Sequence, residues 1–157
     1  MGIPSFDMPI FSELFSEEKS LIAKMKKVFL MVAGSAVQKF GPELEKHQQL
    51  MMAASDILIE VYMAESTLLR TEKNAKRFGE DAQAVQIAMT KLNLFNAIEK
   101  VISKGKEAII SFAEGDEQKM MLMGLKRFTK YTNYPNILAL RTEIATKVAA
   151  DNGYSFD

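Results

Sequence analysis

Apolar residues recur every three or four positions over long stretches of this chain. In the first such stretch the repeat is carried by Leu21, Met25, Phe29, Val32 and Ala36. These residues fall on one face of a helix, because an α-helix completes a turn every 3.6 residues. No alternating run of β-branched residues between turn residues suggests a strand. The pattern therefore predicts an all-α fold.

Glycine and proline mark the predicted ends of the helices. Gly41-Pro42 breaks the first helix, because proline disfavours the helical conformation of the residue before it. Short turns between helices make neighbours in sequence antiparallel neighbours in space. We therefore expect residues 16–157 to form one up-and-down antiparallel helical bundle of four to five helices. The predicted helices span approximately residues 16–40, 42–77, 80–113, 116–131 and 135–151.

Residues 1–15 are expected to form an extended linker, because prolines at positions 4 and 9 remove backbone donors and fix φ. The linker carries apolar side chains that we expect to lie against another surface, and under the family resemblance described below these side chains and the methionine-rich helix faces would dock on a missing part of the protein: Ile3, Phe6, Met8, Ile10 and Phe11.

Composition excludes several classes of partner and site. Twenty basic and twenty acidic side chains give a formal net charge of zero, whereas a nucleic-acid-binding protein usually carries a basic excess. There is no cysteine, which excludes disulfides, thiolate metal sites and cysteine nucleophiles. No apolar run approaches the roughly 18 residues of a membrane span, and no signal peptide opens the sequence. We expect a cytoplasmic protein that binds no nucleic acid.

The familiar catalytic and metal motifs of helical proteins are missing. A di-iron bundle needs two Glu-x-x-His motifs, but the single histidine, His47, follows Leu44 at that spacing. We interpret His47 as a surface or interhelix residue. Gly34, Gly105 and Gly124 lie inside predicted helices, where glycine costs about 1 kcal/mol against alanine. Close helix packing is the expected reason for all three.

The stretch SDILIEVYMAESTLLRTEK, residues 55–73, concentrates acids, a phenol and a base. A helical projection centred on Leu58 places three polar residues on the apolar face, where they are expected to face the core: Tyr62, Glu65 and Glu72. It places Asp56, Glu60, Met63, Thr67, Arg70 and Asn74 on the opposite side.

A carboxylate on a buried face needs a partner, because an isolated buried charge is too costly. We expect Glu65 to pair with Asn93, Asn96 or a lysine on the next helix. A structural role for Glu65 is favoured over a catalytic one, since no second acid or base lies on the same face close to it.

The first helix also shows a basic amphipathic pattern, since lysines flank its apolar residues. Such a helix can lie in a lipid headgroup layer, although a solvated lysine face on a bundle helix explains the pattern more simply. The lysines concerned are Lys19, Lys24, Lys26, Lys27 and Lys39.

Taken in order, the helices resemble the C-terminal extension of acyl-CoA dehydrogenases of the very-long-chain type, most closely in a group of longer bacterial enzymes. The resemblance covers nearly the whole chain. Its centre is AASDILIEVYMAESTLLR, residues 53–70, in which we recognise Asp56, Ile59-Glu60-Val61-Tyr62 and Arg70. The stretch FGEDAQAVQIAMTKL and the tail NGYSFD follow in the expected order. These motifs are packing patterns and not catalytic signatures.

The resemblance implies a parent enzyme that oxidises acyl-CoA to the 2,3-enoyl form in fatty acid β-oxidation. The parent would use FAD and a glutamate base and pass electrons to an electron-transfer flavoprotein. No residue of this chain matches the family's catalytic base or an FAD ligand, so no cofactor is expected here. The implied role is to pack on the catalytic domains of the same enzyme and to support a homodimer or membrane association.

Two other functions compete with this main hypothesis. The first is a free-standing helical adaptor that binds a partner helix in a groove; an open reading frame continuing upstream into a flavin domain would exclude it. The second is a small-ligand enzyme that uses Glu65 and Tyr62. A Glu65→Gln variant that changes stability but no turnover would exclude that enzyme.

Overall fold

The protein, seen here as a computed structural model, is described over residues 14–154 and residue 156. Over that part of the chain the fold is all-α with no strand, which confirms the predicted fold class. Short 3₁₀ segments precede the second and third helices, at Gly41–Lys46 and Asp81–Gln83. The five helices of these residues are α1 (Ser16–Phe40), α2 (Gln48–Phe78), α3 (Ala84–Phe112), α4 (Gly115–Phe128) and α5 (Ile137–Asp151).

The second helix begins at Gln48 and not at residue 42, so this predicted boundary was wrong. The chain reverses direction between α1 and α2, and Gly41 takes a positive φ of 49° to start the turn. The tighter 3₁₀ segment follows, with proline at its start. His47 ends it and packs on the ring of Phe40, with ring centroids 3.9 Å apart. His47 is thus an exposed interhelix residue, as predicted.

The two longest helices, α2 and α3, form an antiparallel hairpin that the other helices cover. Helix α1 packs against α2, α3 and α4, and both α4 and α5 lie along α3. The side chains between them form one apolar core, which includes Met25, Val28, Ile57, Ile98, Val101 and Ile109. Helix α5 contributes no buried residue to it.

The intrahelical glycines divide into two kinds. A Cβ on Gly105 would lie 2.8 Å from Leu125 Cδ1, and one on Gly124 would lie 3.0 Å from Met31 Sδ. Both glycines therefore permit close helix packing, as predicted. Gly34 is exposed, and a Cβ on it would have no neighbouring atom within 4 Å. The same prediction was therefore wrong for Gly34.

The corner between α4 and α5 is fastened to the start of α1. The carboxylate of Glu17 accepts hydrogen bonds from the backbone N–H groups of Thr132 and Asn133, at 2.5 and 3.0 Å. Beside them Tyr131 is buried against Phe95, with ring centroids 6.4 Å apart. Burial, reinforced by nearby carboxylates, raises the pKa of Tyr131.

The predicted linker, with its apolar side chains, lies outside the described residues as far as residue 13. At its end Phe15 is fully buried and belongs to the core. Among the described helices, none is long and apolar enough to cross a bilayer.

Candidate docking surface

The inner face of α2 differs from the predicted one. The buried side chains between residues 50 and 68 are Leu50, Ala53, Ile57, Val61, Ala64 and Leu68. This stripe is rotated by about 90° from the projection centred on Leu58. The projection followed the largest apolar side chains, whereas the packed helices select a stripe with alanines at the points of close approach. Leu58 is 47% exposed and Tyr62 is 69% exposed, so placing Tyr62 on the core face was wrong.

The flank of α2 that faces α1 carries two glutamates, each bound to a lysine. Glu65 accepts a hydrogen bond from Lys26 and Glu72 accepts one from Lys19, both at 2.6 Å. Lys76 lies 3.6 Å from the same Glu72 oxygen. The side chain of Glu65 is 40% exposed and that of Glu72 only 12%. The partner of Glu65 is thus a lysine, one of the predicted alternatives, but it lies on α1 and not on α3.

The hydrogen bond from Lys19 lowers the pKa of Glu72, and the positive charges of Lys19 and Lys76 add to this effect. Partial burial acts in the opposite direction, because desolvation disfavours the charged carboxylate. Glu72 is therefore a structural anion that ties α1 to α2.

The flank that faces α3 is built in the same way. Glu60 accepts a hydrogen bond from Lys100 at 2.9 Å, and Asp56 lies 3.6 Å from Lys104. Lys104 also contacts Glu107 one turn further along α3, at 3.0 Å. The acids of α2 therefore project sideways towards both neighbouring helices, and lysines of those helices neutralise them.

What remains is the outer face of α2, the surface between the two flanks, whose exposed side chains from position 51 to position 69 are uncharged. The outer face of α2 consists of the following residues: Met51, Met52, Ser55, Leu58, Ile59, Tyr62, Met63, Ser66 and Leu69. Seven of them are large apolar side chains, each between 44% and 69% exposed. A contiguous exposed apolar surface is typical of an interaction site.

The sequence predicts docking through methionine-rich helix faces in general, but sequence reasoning did not assign it to this face of α2, although a signal for the face was present. The charged residues between positions 51 and 69 are Asp56, Glu60 and Glu65. None of them falls on the arc from Leu58 to Met63 on the far side of the helix. An uncharged outer arc on a helix is visible once the orientation of that helix is known.

Comparison with known proteins adds the family. The model of the family described as "Acyl-CoA dehydrogenase, C-terminal domain" matches residues 24–127. The chain belongs to this family.

Two relatives carry the name of the enzyme. A probable acyl-CoA dehydrogenase of Bacillus subtilis (strain 168) is 31% identical over 144 residues, which are 92% of this chain and 24% of that protein. The crystal structure of an acyl-CoA dehydrogenase complexed with FAD from Bacillus anthracis matches with a TM-score of 0.87 and 34% identity. That match covers 92% of this chain and 25% of the solved one. The chain thus spans about a quarter of the length of each relative.

In this acyl-CoA dehydrogenase C-terminal domain, the described residues hold no cluster of side chains suited to bind a metal ion. No group of three or more His, Asp or Glu side chains among them is placed to hold a metal ion. Glu65 is bonded to Lys26, and Tyr62 is exposed on the outer face of α2. The two therefore do not form an enclosed acid–phenol site.

The residues of the recognised packing pattern lie in different environments. Asp56 contacts α3 through Lys104, whereas Tyr62 and Arg70 are exposed. Arg70 follows the last residue of the outer face of α2. The pattern thus includes the flank and the outer face of one helix and, through Val61, also its buried side.

Proposed function

We propose that this chain is the non-catalytic C-terminal helical domain of a FAD-dependent acyl-CoA dehydrogenase of the very-long-chain type. The domain packs on the catalytic domains of its own enzyme and supports its dimer. The observation that carries this proposal is the asymmetry of coverage. The relatives match 92% of this chain but only about a quarter of their own lengths.

The chemistry of the described residues supports the same role. The acids of α2 are engaged by lysines of α1 and α3, and the surface they leave open is apolar. Such a domain offers contact area and not reacting groups. FAD is named with the Bacillus anthracis relative, and we assign FAD binding to the region outside this chain.

The wider setting follows from the family and is part of the proposal. The parent enzyme oxidises acyl-CoA in fatty acid β-oxidation in the cytoplasm and passes electrons to an electron-transfer flavoprotein. Support of the dimer is favoured over membrane association, because Lys19 and Lys26 of the basic first helix are bound to Glu72 and Glu65. Their charges are therefore less available to anionic lipid headgroups.

Purification of the chain alone tests the proposal. We expect a colourless helical protein that binds no added FAD and oxidises no acyl-CoA with an artificial electron acceptor. The complete polypeptide that carries this domain is expected to purify with flavin and to be active. The matched control is that polypeptide shortened to end before residue 16, which is expected to retain flavin and to change its oligomeric state. A flavin absorbance band in stoichiometric amount on the chain alone would overturn the proposal.

A further inference from the structure

We infer that the outer face of α2 is the surface that docks on the flavin-binding part of the same enzyme. This inference rests on the proposed function and specifies which face serves it. The face runs from Met51 to Leu69, about 27 Å along the helix at 1.5 Å per residue.

The first support is the contrast with α4, which also has an exposed side. On α4 the exposed Met120 and Met123 alternate with charged residues, including Asp116, Lys119 and Lys126. A solvated helix normally shows such charges on its outer side. The outer face of α2 carries no charged residue over five turns. Its composition therefore does not fit exposure to water.

The second support is the state of the charges along both edges. Glu65 and Glu60 are each bound within the chain, to Lys26 and Lys100. A partner therefore needs no counter-charges and can cover the face with apolar side chains, leaving a polar rim. The face contains no lysine or arginine, so it does not fit a nucleic acid or an anionic membrane.

The third support is the way in which the partner is attached. In the family description the domain is C-terminal, so under the proposed function the flavin-binding part precedes residue 1. The pair between Lys19 and Glu72 places the start of α1 beside the end of α2 that carries Leu69.

Attachment also decides between the flavin-binding part and a second copy of this chain. A partner on the same polypeptide binds in an intramolecular step, so its effective concentration is high. A second copy is present only at the concentration of the protein itself. The tethered partner is therefore the occupant that mass action favours.

The absence of cysteine from the chain permits a direct test by thiol labelling. Tyr62→Cys places a thiol on the outer face of α2, and Met123→Cys places one on α4 at a position with the same exposure, 69% against 71%. Each variant is made in the chain alone and in the complete enzyme, and maleimide labelling at the new cysteine is followed by peptide mapping. Circular dichroism checks that the helices are retained.

In the chain alone both thiols are expected to react fast at every protein concentration. In the complete enzyme the thiol of Tyr62→Cys is expected to react at least about tenfold more slowly, since it is accessible only when the interface opens. The thiol of Met123→Cys is expected to keep its rate.

Equal rates for Tyr62→Cys in the two settings would overturn the inference and leave the proposed function intact, provided that the complete enzyme still shows its flavin band. Equal protection of both thiols would overturn the assignment to α2. Protection of Tyr62→Cys that grows with the concentration of the chain alone would identify a second copy as the occupant. A failure of the proposed function would be detected by a separate measurement, as the absence of bound flavin and of activity in the complete enzyme.

Discussion

At the scale of single residues, the pair between Glu72 and Lys19 joins two side chains that are 53 positions apart in the sequence. Because the pKa of Glu72 is lowered in the folded protein from 4.5, the carboxylate stabilises the fold above that pH. The stabilisation is lost as the pH falls through the lower folded value. A hydrogen bond to a charged group in a partly buried setting contributes on the order of 1 kcal/mol.

We therefore expect Glu72→Gln to lower the free energy of unfolding by about 1 kcal/mol at pH 7, and this difference to shrink as the pH falls below 4.5. Urea denaturation at a series of pH values measures this. Glu65→Gln is the matched control, because its pair with Lys26 is more exposed and its effect at pH 7 should be smaller. Parallel acid profiles for the wild type and Glu72→Gln would contradict the assignment.

At the scale of helices, the sequence was sufficient for the number, type and approximate bounds of the elements. Apolar periodicity and the positions of glycine and proline carry that information locally. The rotation of α2 about its axis was not predictable in the same way. Apolar residues occupy most of its circumference, from Ile57 on the inside to Ile59 on the outside. Which of these two sides is buried depends on how closely α1 and α3 approach α2. The sequence of one helix does not contain that information.

The candidate site was hidden for the same reason. The partner of Glu65 is 39 residues away, on α1, and only the antiparallel register of the two helices brings Lys26 beside it. Tyr62 was assigned to the core because its ring is large and apolar, yet it lies on the outer face of α2. A projection of one helix cannot distinguish a side buried within the domain from a side reserved for a partner.

Helix α5 is expected to be the least stable helix of the domain. It packs only on α3 among the described elements and buries none of its residues, although Asn136 caps its start by accepting a hydrogen bond from the N–H of Ala139. Native-state hydrogen exchange should show its amides opening at least about tenfold more readily than those of α4. Helix α4 is the control, since it also lies along α3 but buries Met121 and Leu125. Equal protection of both helices would contradict this expectation.

At the scale of the whole molecule, a formal net charge of zero and an exposed apolar face act together. Without electrostatic repulsion between copies, solubility should be lowest near the isoelectric point of about 6.6. Met52→Lys with Met63→Lys is expected to raise the solubility of the chain alone at pH 7 several-fold. Met120→Lys with Met123→Lys adds the same charge on α4, and it is expected to have a smaller effect. Precipitation by ammonium sulfate measures the difference, and equal gains would show that charge alone matters.

The lysine–acid pairs on both sides of α2 have a consequence for how such a domain changes over time. Pairs on opposite flanks, with Lys26 on one side and Lys100 on the other, border the buried stripe, and the packing of that stripe sets the rotation of the helix. The exposed side chains between the flanks are then not required for folding. Substitutions at Ile59 or Tyr62 can alter what the domain recognises without altering how it folds. Folding and recognition are thereby assigned to separate sets of residues on the same helix, and each set can be selected independently.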